Sequence, residues 1–148
     1  MVTRANQITK ICLTGGPCGA KTTLLSHIRE KMPGYGVWPF TPPEVASEFF
    51  TNGVTPDKYI GTMFGTSGLS RDQIAEFIFE TMLLKETLYE RIAHRSLSPR
   101  KLIVPDRGIF DLRYPGYCRR EVFDFLIEKH GIDWGRYRAV LHMVTAAK

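Results

Sequence analysis

The sequence predicts an α/β domain in which a parallel β-sheet carries helices on both of its faces. Short apolar segments alternate with segments of helical periodicity, and this alternation is typical of parallel βαβ units. A Gly-rich turn follows the first apolar segment and leads into a helical segment. The chain has 148 residues, 43% of them hydrophobic, and no internal repeat or linker, so one domain with its own core is expected.

The predicted strands are short, and the clearest of them end at Gly or Pro. They cover residues 8–14, 37–40, 102–104 and 139–144. The first run ends at Gly15, and residues 102–104 end at Pro105, which cannot donate to a strand ladder. The predicted helices cover residues 22–32, 43–50, a long segment that begins at Ser70, and residues 122–129. Residues 51–68, rich in Gly, Thr and Pro, are predicted to form a loop over the site.

The long helix is predicted to bury one apolar face. Ser70 is a favourable N-cap, and Asp72 lies in the first turn, near the positive end of the helix dipole. The apolar residues that recur at helical spacing are Ile74, Phe77, Ile78, Met82, Leu88, Tyr89 and Ile92. This stripe is interpreted as core, and Glu86 is assigned to the solvated face.

Composition limits the classes of partner. The net charge of +5 favours an anionic partner, and by itself it does not distinguish a nucleotide, a nucleic acid and an anionic membrane. No dense basic run occurs, so a nucleic-acid surface is the weaker interpretation. The cysteines Cys12, Cys18 and Cys118 are too few for a disulfide framework and lack zinc-site spacing. No secretory signal or transmembrane segment is recognised, so a cytoplasmic location is expected.

The Gly-rich turn follows the phosphate-binding pattern G-x-x-x-x-G-K-[ST] with one departure. The predicted nucleotide-binding residues are Gly15, Gly16, Pro17, Cys18, Gly19, Ala20, Lys21, Thr22 and Thr23. Lys21 is expected to reach the β- and γ-phosphates of ATP or GTP, and Thr22 to bind Mg²⁺. Ala20 stands where the pattern has its second Gly, which costs on the order of 1–2 kcal/mol if that position needs a positive φ. The alternative is a Gly-rich turn without a ligand.

Three further residues are candidates for catalysis. Asp106 and Arg107 directly follow a predicted strand, and ligands of open α/β sheets bind at the carboxyl ends of strands. Asp106 would hold Mg²⁺ or orient an acceptor, and Arg107 would neutralise phosphate charge; the alternative is a solvated pair that caps a loop. Glu44 would bind the acceptor or act as a base, and an ordinary helix N-terminal Glu explains it equally well.

Together these motifs resemble the NadR-like P-loop NTPase and kinase family, an AAA-type ATP/GTP-binding domain. The resemblance is greatest to the branch typified by the TRPL translocation defect protein. The residues that carry it are 10–18, 21–23, 43–46, 106–108 with Asp111, and 137–147. It implies a P-loop, nucleoside/nucleotide-kinase-like three-layer sandwich that binds ATP or GTP with Mg²⁺.

The resemblance also sets the functional alternatives. One is a Mg²⁺-dependent phosphotransferase or NTPase with a small nucleoside or nucleotide acceptor. The others are a nucleotide-dependent regulatory or adaptor switch and an inactive remnant. Residues 19–20 and 114–116 depart from the family pattern, and the chain stops at Lys148, where the family continues into its lid and last strand. The resemblance therefore predicts a C-terminally truncated domain with slow or absent catalysis.

Overall fold

The computed structural model of the chain describes residues 6–16, 20–54 and 68–144. It divides into two compact units. The first comprises Met1–Pro43, Lys85–Gly108 and Trp134–Lys148, and the second comprises Glu44–Leu84 and Ile109–Asp133. Some predicted features lie outside the described residues: most of the loop at 51–68, residues 145–147 of the last motif, and Pro17, Cys18 and Gly19 of the Gly-rich turn.

The first unit is built on a parallel sheet of four strands among the described residues. The strands are β1 (Gln7–Gly15), β2 (Trp38–Phe40), β3 (Arg100–Ile103) and β4 (Ala139–Met143). Their order is β2-β3-β1-β4, and every pairing is parallel. The first half of β1 pairs with β3 and its second half with β4, so the strand that leads into the Gly-rich turn is central. The predicted α/β class with a parallel sheet is confirmed.

Helix α1 (Ala20–Lys31) follows the Gly-rich turn and begins before Thr22, its predicted first residue. The α-helix ends at Lys31, two residues before Pro33, and a short 3-10 helix (Met32–Tyr35) continues the helical path. Proline is tolerated in the first turn of a helix, where its missing N–H would have no intrahelical partner. The path ends at Gly36, whose left-handed φ of 72° allows its amide to donate to the carbonyls of Met32 and Pro33.

The core of the first unit joins α1 to the middle of the sheet. Leu13 of β1, Leu25 of α1 and Val104, just beyond β3, form a buried cluster. The partly buried side chains packed against it are Leu24, Ile28, Leu102 and Met143. Because β1 and α1 both pack into this cluster, the ends of the connection between them are held in fixed positions.

The second unit is helical in the part that the structure describes. Its elements are α2 (Val45–Thr51), the first part of α3 (Arg71–Arg95), a 3-10 helix (Ile109–Arg113) and α4 (Arg120–Lys129). Ser70 caps α3 as predicted: its hydroxyl accepts from the Gln73 amide at 3.2 Å, and the Gln73 side chain accepts from the Ser70 amide at 2.8 Å. Phe79 and Phe123 meet edge to face at 6.5 Å between ring centroids.

The predicted apolar stripe of α3 is only partly correct. Ile74, Ile78 and Met82 are buried as expected. In contrast, Phe77, Leu88 and Ile92 are exposed by 47%, 47% and 42%. The buried face is rotated away from them and includes Ala75, Phe79, Glu86 and Ala93. Small and charged residues contribute little to a hydrophobic pattern, so the pattern selected the wrong edge of the helix.

Candidate functional site

The end of β1 requires a glycine for two separate reasons. Gly15 has φ of +135°, a conformation that L side chains rarely adopt. Gly15 also pairs with Met143 of β4, and a Cβ at this position would collide with the Met143 carbonyl oxygen. The first glycine of the predicted phosphate-binding pattern is therefore fixed by the backbone of the neighbouring strand.

Lys21 lies in the first turn of α1 and points back to the loop. Its side chain is buried, with 5% of its surface exposed. The ammonium donates to the Gly15 carbonyl at 3.0 Å and to the Gly16 carbonyl. These carbonyl dipoles hold a positive charge at the carboxyl end of β1 and can be exchanged for phosphate oxygens, which are stronger acceptors.

The start of α1 favours an anion. Its first turn carries no acidic residue, and its last turn carries Arg29 and Lys31. The positive end of the helix dipole is therefore directed at the loop without a carboxylate from its own first turn. Thr22 and Thr23 are exposed there. Ala20 is the first helical residue, and helical φ values near −60° suit Ala, so the strain considered for this position does not arise.

Asp106 is attached by its backbone to the strands on both sides. It forms a parallel bridge with Leu13, and its amide donates to the Pro42 carbonyl at 3.0 Å. The next amide, that of Arg107, donates to the Leu13 carbonyl at 2.8 Å. The turn after β3 therefore lies at the carboxyl edge of the sheet, beside the strand that ends at Gly15, as the sequence predicted for Asp106 and Arg107.

The Asp106–Arg107–Gly108 turn has an unusual backbone. Arg107 has φ of 67°, the one non-glycine residue with a positive φ among the described residues. Gly108 is buried, and a Cβ there would lie 2.6 Å from the Cys12 sulfur and 2.7 Å from the Tyr137 hydroxyl oxygen. The turn is thus both strained at Arg107 and closely packed at Gly108.

Glu44 belongs to the second unit, where it is the N-cap residue of α2. Its backbone is extended, and its carboxylate accepts a hydrogen bond from the Ser47 hydroxyl at 3.0 Å. This geometry fits the helix N-terminal interpretation of Glu44. Its role toward an acceptor stays a prediction.

The most heavily buried acidic residue of the first unit was not recognised from the sequence. The assignment of Glu86 to a solvated face is wrong, because its side chain is only 2% exposed. It accepts hydrogen bonds from Tyr137 at 2.5 Å, Arg136 at 2.8 Å and Lys10 at 3.3 Å. Burial by itself lowers the pKa of Arg136, but the charge and hydrogen bond of Glu86, together with the charges of Tyr137 and Glu90, outweigh burial and raise this pKa above its usual value.

Other expectations can be compared with the described part of the chain. Within it, no group of three or more His, Cys, Asp or Glu side chains is arranged to hold a metal ion. None of the described helices is both long and apolar enough to cross a membrane.

Comparison with known proteins adds one finding. The model of a family of AAA domains, AAA_28, matches residues 10–148, a stretch that contains the second half of β1, the Gly-rich turn and the Asp106 turn. No protein with a curated description matches the chain. An AAA domain of the P-loop NTPase type is a nucleotide-binding domain, in agreement with the position of Lys21 at the loop. The match covers most of the chain, which therefore belongs to the AAA_28 family of AAA domains.

Proposed function

We propose that the chain binds ATP or GTP with Mg²⁺ and hydrolyses the γ-phosphate or transfers it to a small nucleoside-like acceptor. The observation that carries this proposal is the buried Lys21 ammonium, which the carbonyls of Gly15 and Gly16 hold at the carboxyl end of the central strand. Phosphoryl transfer depends mainly on positioning and on neutralising charge, and a cation held in this way contributes to both.

The proposed roles of the other candidate residues follow from their positions in the fold. Thr22 is exposed at the start of α1 and would contribute its hydroxyl to Mg²⁺. Asp106 would bind the same ion, either directly or through a water molecule. Arg107 would neutralise charge on the phosphates, and Glu44 would bind or deprotonate the acceptor. The donor set of one hydroxyl and one carboxylate fits a hard cation. When bound, Mg²⁺ neutralises phosphate charge.

The proposal includes the wider assignments made from the sequence. Kinship with the NadR-like family, and with its TRPL translocation defect branch, rests on the order of the shared motifs. A single P-loop domain is supported by one family match that spans residues of both compact units. The partners expected are a nucleoside triphosphate and a nucleoside or nucleotide acceptor, in the cytoplasm, without nucleic acid.

The first test is binding of fluorescent ATP and GTP analogues with and without Mg²⁺. Lys21→Ala is expected to weaken binding by about 10²-fold, because hydrogen bonds between charged groups contribute roughly 1.5–3 kcal/mol each. Lys31→Ala removes an exposed lysine from the far end of the same helix and is the matched control. Equal affinity of the native chain and Lys21→Ala would contradict the assignment.

Turnover distinguishes the two classes of function. Single-turnover hydrolysis and transfer to a panel of nucleosides would identify a phosphotransferase or NTPase. Tight Mg²⁺-dependent binding with no release of phosphate would instead favour the regulatory switch or the inactive remnant.

A further inference from the structure

The backbone of the Asp106–Arg107 turn rests on the Tyr137 side chain. Gly108 follows the turn directly, and a Cβ built there would approach the Tyr137 hydroxyl to 2.7 Å and the Cys12 sulfur to 2.6 Å. Real Cβ atoms do not come so close to other groups, so the glycine backbone itself is the surface in contact. Tyr137 is 9% exposed and comes just before β4, and Cys12 lies within β1.

The Tyr137 hydroxyl is held in place by the Glu86 carboxylate. It donates to the Glu86 carboxylate at 2.5 Å, a short bond that is typical of a hydroxyl donating to a charged oxygen. Glu86 is fixed in turn by Arg136 at 2.8 Å and Lys10 at 3.3 Å. Both cations contact one carboxylate oxygen of Glu86, and the Tyr137 hydroxyl contacts the other. The tyrosine ring therefore has little freedom to move away from Gly108.

The turn needs such support. Arg107 holds a φ of 67°, which costs an L-residue free energy and persists only where the surroundings fix it. On the β1 side, the Arg107 amide donates to the Leu13 carbonyl at 2.8 Å. On the Gly108 side, the contacts with Tyr137 and Cys12 limit how the backbone can relax.

We infer that Tyr137, held by Glu86, is a positioning residue that fixes the Asp106–Arg107 turn for Mg²⁺-dependent nucleotide binding. The inference rests on the proposed function, in which Asp106 and Arg107 act on the metal and the phosphates. Tyr137 acts through the Gly108 backbone. The loop around Lys21 is a separate element, so nucleotide binding without the metal depends less on Tyr137, through Arg107 alone.

The experiment compares Tyr137→Phe with the native chain, with and without Mg²⁺. Removing the hydroxyl is expected to lower affinity for fluorescent ATP or GTP about tenfold in Mg²⁺, the effect typical of groups that orient a metal ligand. Affinity in EDTA is expected to fall less, because without the metal only the contribution of Arg107 is lost, whereas a merely structural defect would lower both affinities equally. Tyr35→Phe, at a tyrosine 74% exposed, is the matched control.

A second variant tests the contact itself. Gly108→Ala is expected to reproduce the Mg²⁺-selective loss, because its methyl group must displace the turn or the ring. Combined with Tyr137→Phe the loss is expected to be less than additive, since a ring released from Glu86 can move away from the new methyl group. Full additivity in Mg²⁺ would contradict the contact.

A measurement without nucleotide separates this inference from the proposed function. In Tyr137→Phe, hydrogen exchange of the Arg107 amide is expected to lose protection, because its bond to the Leu13 carbonyl reports whether the turn is held. Unchanged protection, or equal loss of affinity with and without Mg²⁺, overturns the positioning role even if the native chain binds nucleotide. Absence of binding by the native chain, together with lost protection in the variant, would instead overturn the proposed function and leave the turn's support established.

Discussion

The two compact units each contain a cluster of charged side chains, and the clusters differ mainly in burial. In the first unit, Glu86 is 2% exposed, and its partners Arg136 and Lys10 are 13% and 11% exposed. In the second unit, Lys129 bonds Glu76 at 3.0 Å and Glu80 at 3.3 Å, with all three side chains about two-fifths exposed. The distances are similar, so the geometry alone does not separate the two clusters.

The difference in burial changes what each cluster contributes. Water and salt screen most of the attraction between the two charges of an exposed ion pair. Such pairs therefore usually contribute little to folding. A buried carboxylate has lost its hydration and depends on its protein partners, so removing its charge leaves cations unbalanced in a poorly solvated place. The Glu86 cluster is therefore expected to be sensitive to substitution, and the Lys129 cluster to be tolerant.

The largest effect is expected for Glu86→Gln. The neutral amide leaves Arg136 without the carboxylate that balances it, whereas Lys10 keeps its ion pair with Glu90. The free energy of unfolding should fall by up to about 3–5 kcal/mol. Urea denaturation followed by circular dichroism measures this change. Glu80→Gln, which makes the same substitution at a partner of Lys129, is the control and should unfold near the native midpoint. Equal unfolding midpoints for the two variants would contradict the expectation that the buried cluster is the more sensitive one.

A smaller effect is expected for Lys129→Ala. Its side-chain hydrogen bonds to Glu76 and Glu80 raise the pKa of Lys129, but the group is exposed and its interactions are screened. The variant should show an unfolding midpoint close to that of the native chain at low salt, and the remaining difference should disappear at high salt. A large, salt-independent loss of stability would show that exposure does not govern this cluster.

The last effect is absent at neutral pH and concerns a buried neutral group of the second unit. Burial raises the pKa of the Cys118 thiol from 9.0 to about 11, and Asp72 acts in the same direction. Between these values the unfolded chain releases a proton that the folded chain keeps, so the contribution of Cys118 is complete below pH 9.0 and is lost as pH rises toward about 11. The native chain should therefore lose stability relative to Cys118→Ala over this range. A difference in urea midpoint that does not change with pH would contradict the shift.

Features that depend on local order along the chain could be predicted from the sequence. Residues 8–14 and the glycine after them predicted β1 and its abrupt end, because an apolar run that stops at a glycine is typical of a buried strand entering a turn. Pro105 placed Asp106 just beyond a strand, and parallel strands bring their carboxyl ends to one edge of a sheet. The predicted strands and helices were correct in type, with shifts of a few residues at their ends.

The buried cluster could not be found in this way. Glu86 lies 76 residues from Lys10 and about 50 from Arg136 and Tyr137. No pattern within one helix shows that such partners converge, and an isolated glutamate on a helix is usually solvated. A small signal was present in Ala75 and Ala93, which lie on the buried face of α3 with Glu86 and mark a side with little room for large residues.

The left-handed backbone of Arg107 also bears on how this chain can evolve. Glycine adopts a φ of 67° without penalty, whereas an L-residue with a side chain carries strain of about 1–2 kcal/mol there. That is as large as the effect of a typical point mutation on stability. Selection for stability alone would favour glycine at this position. An arginine that persists there is expected where stability and activity conflict, and where loss of the guanidinium is more harmful to the organism than the strain.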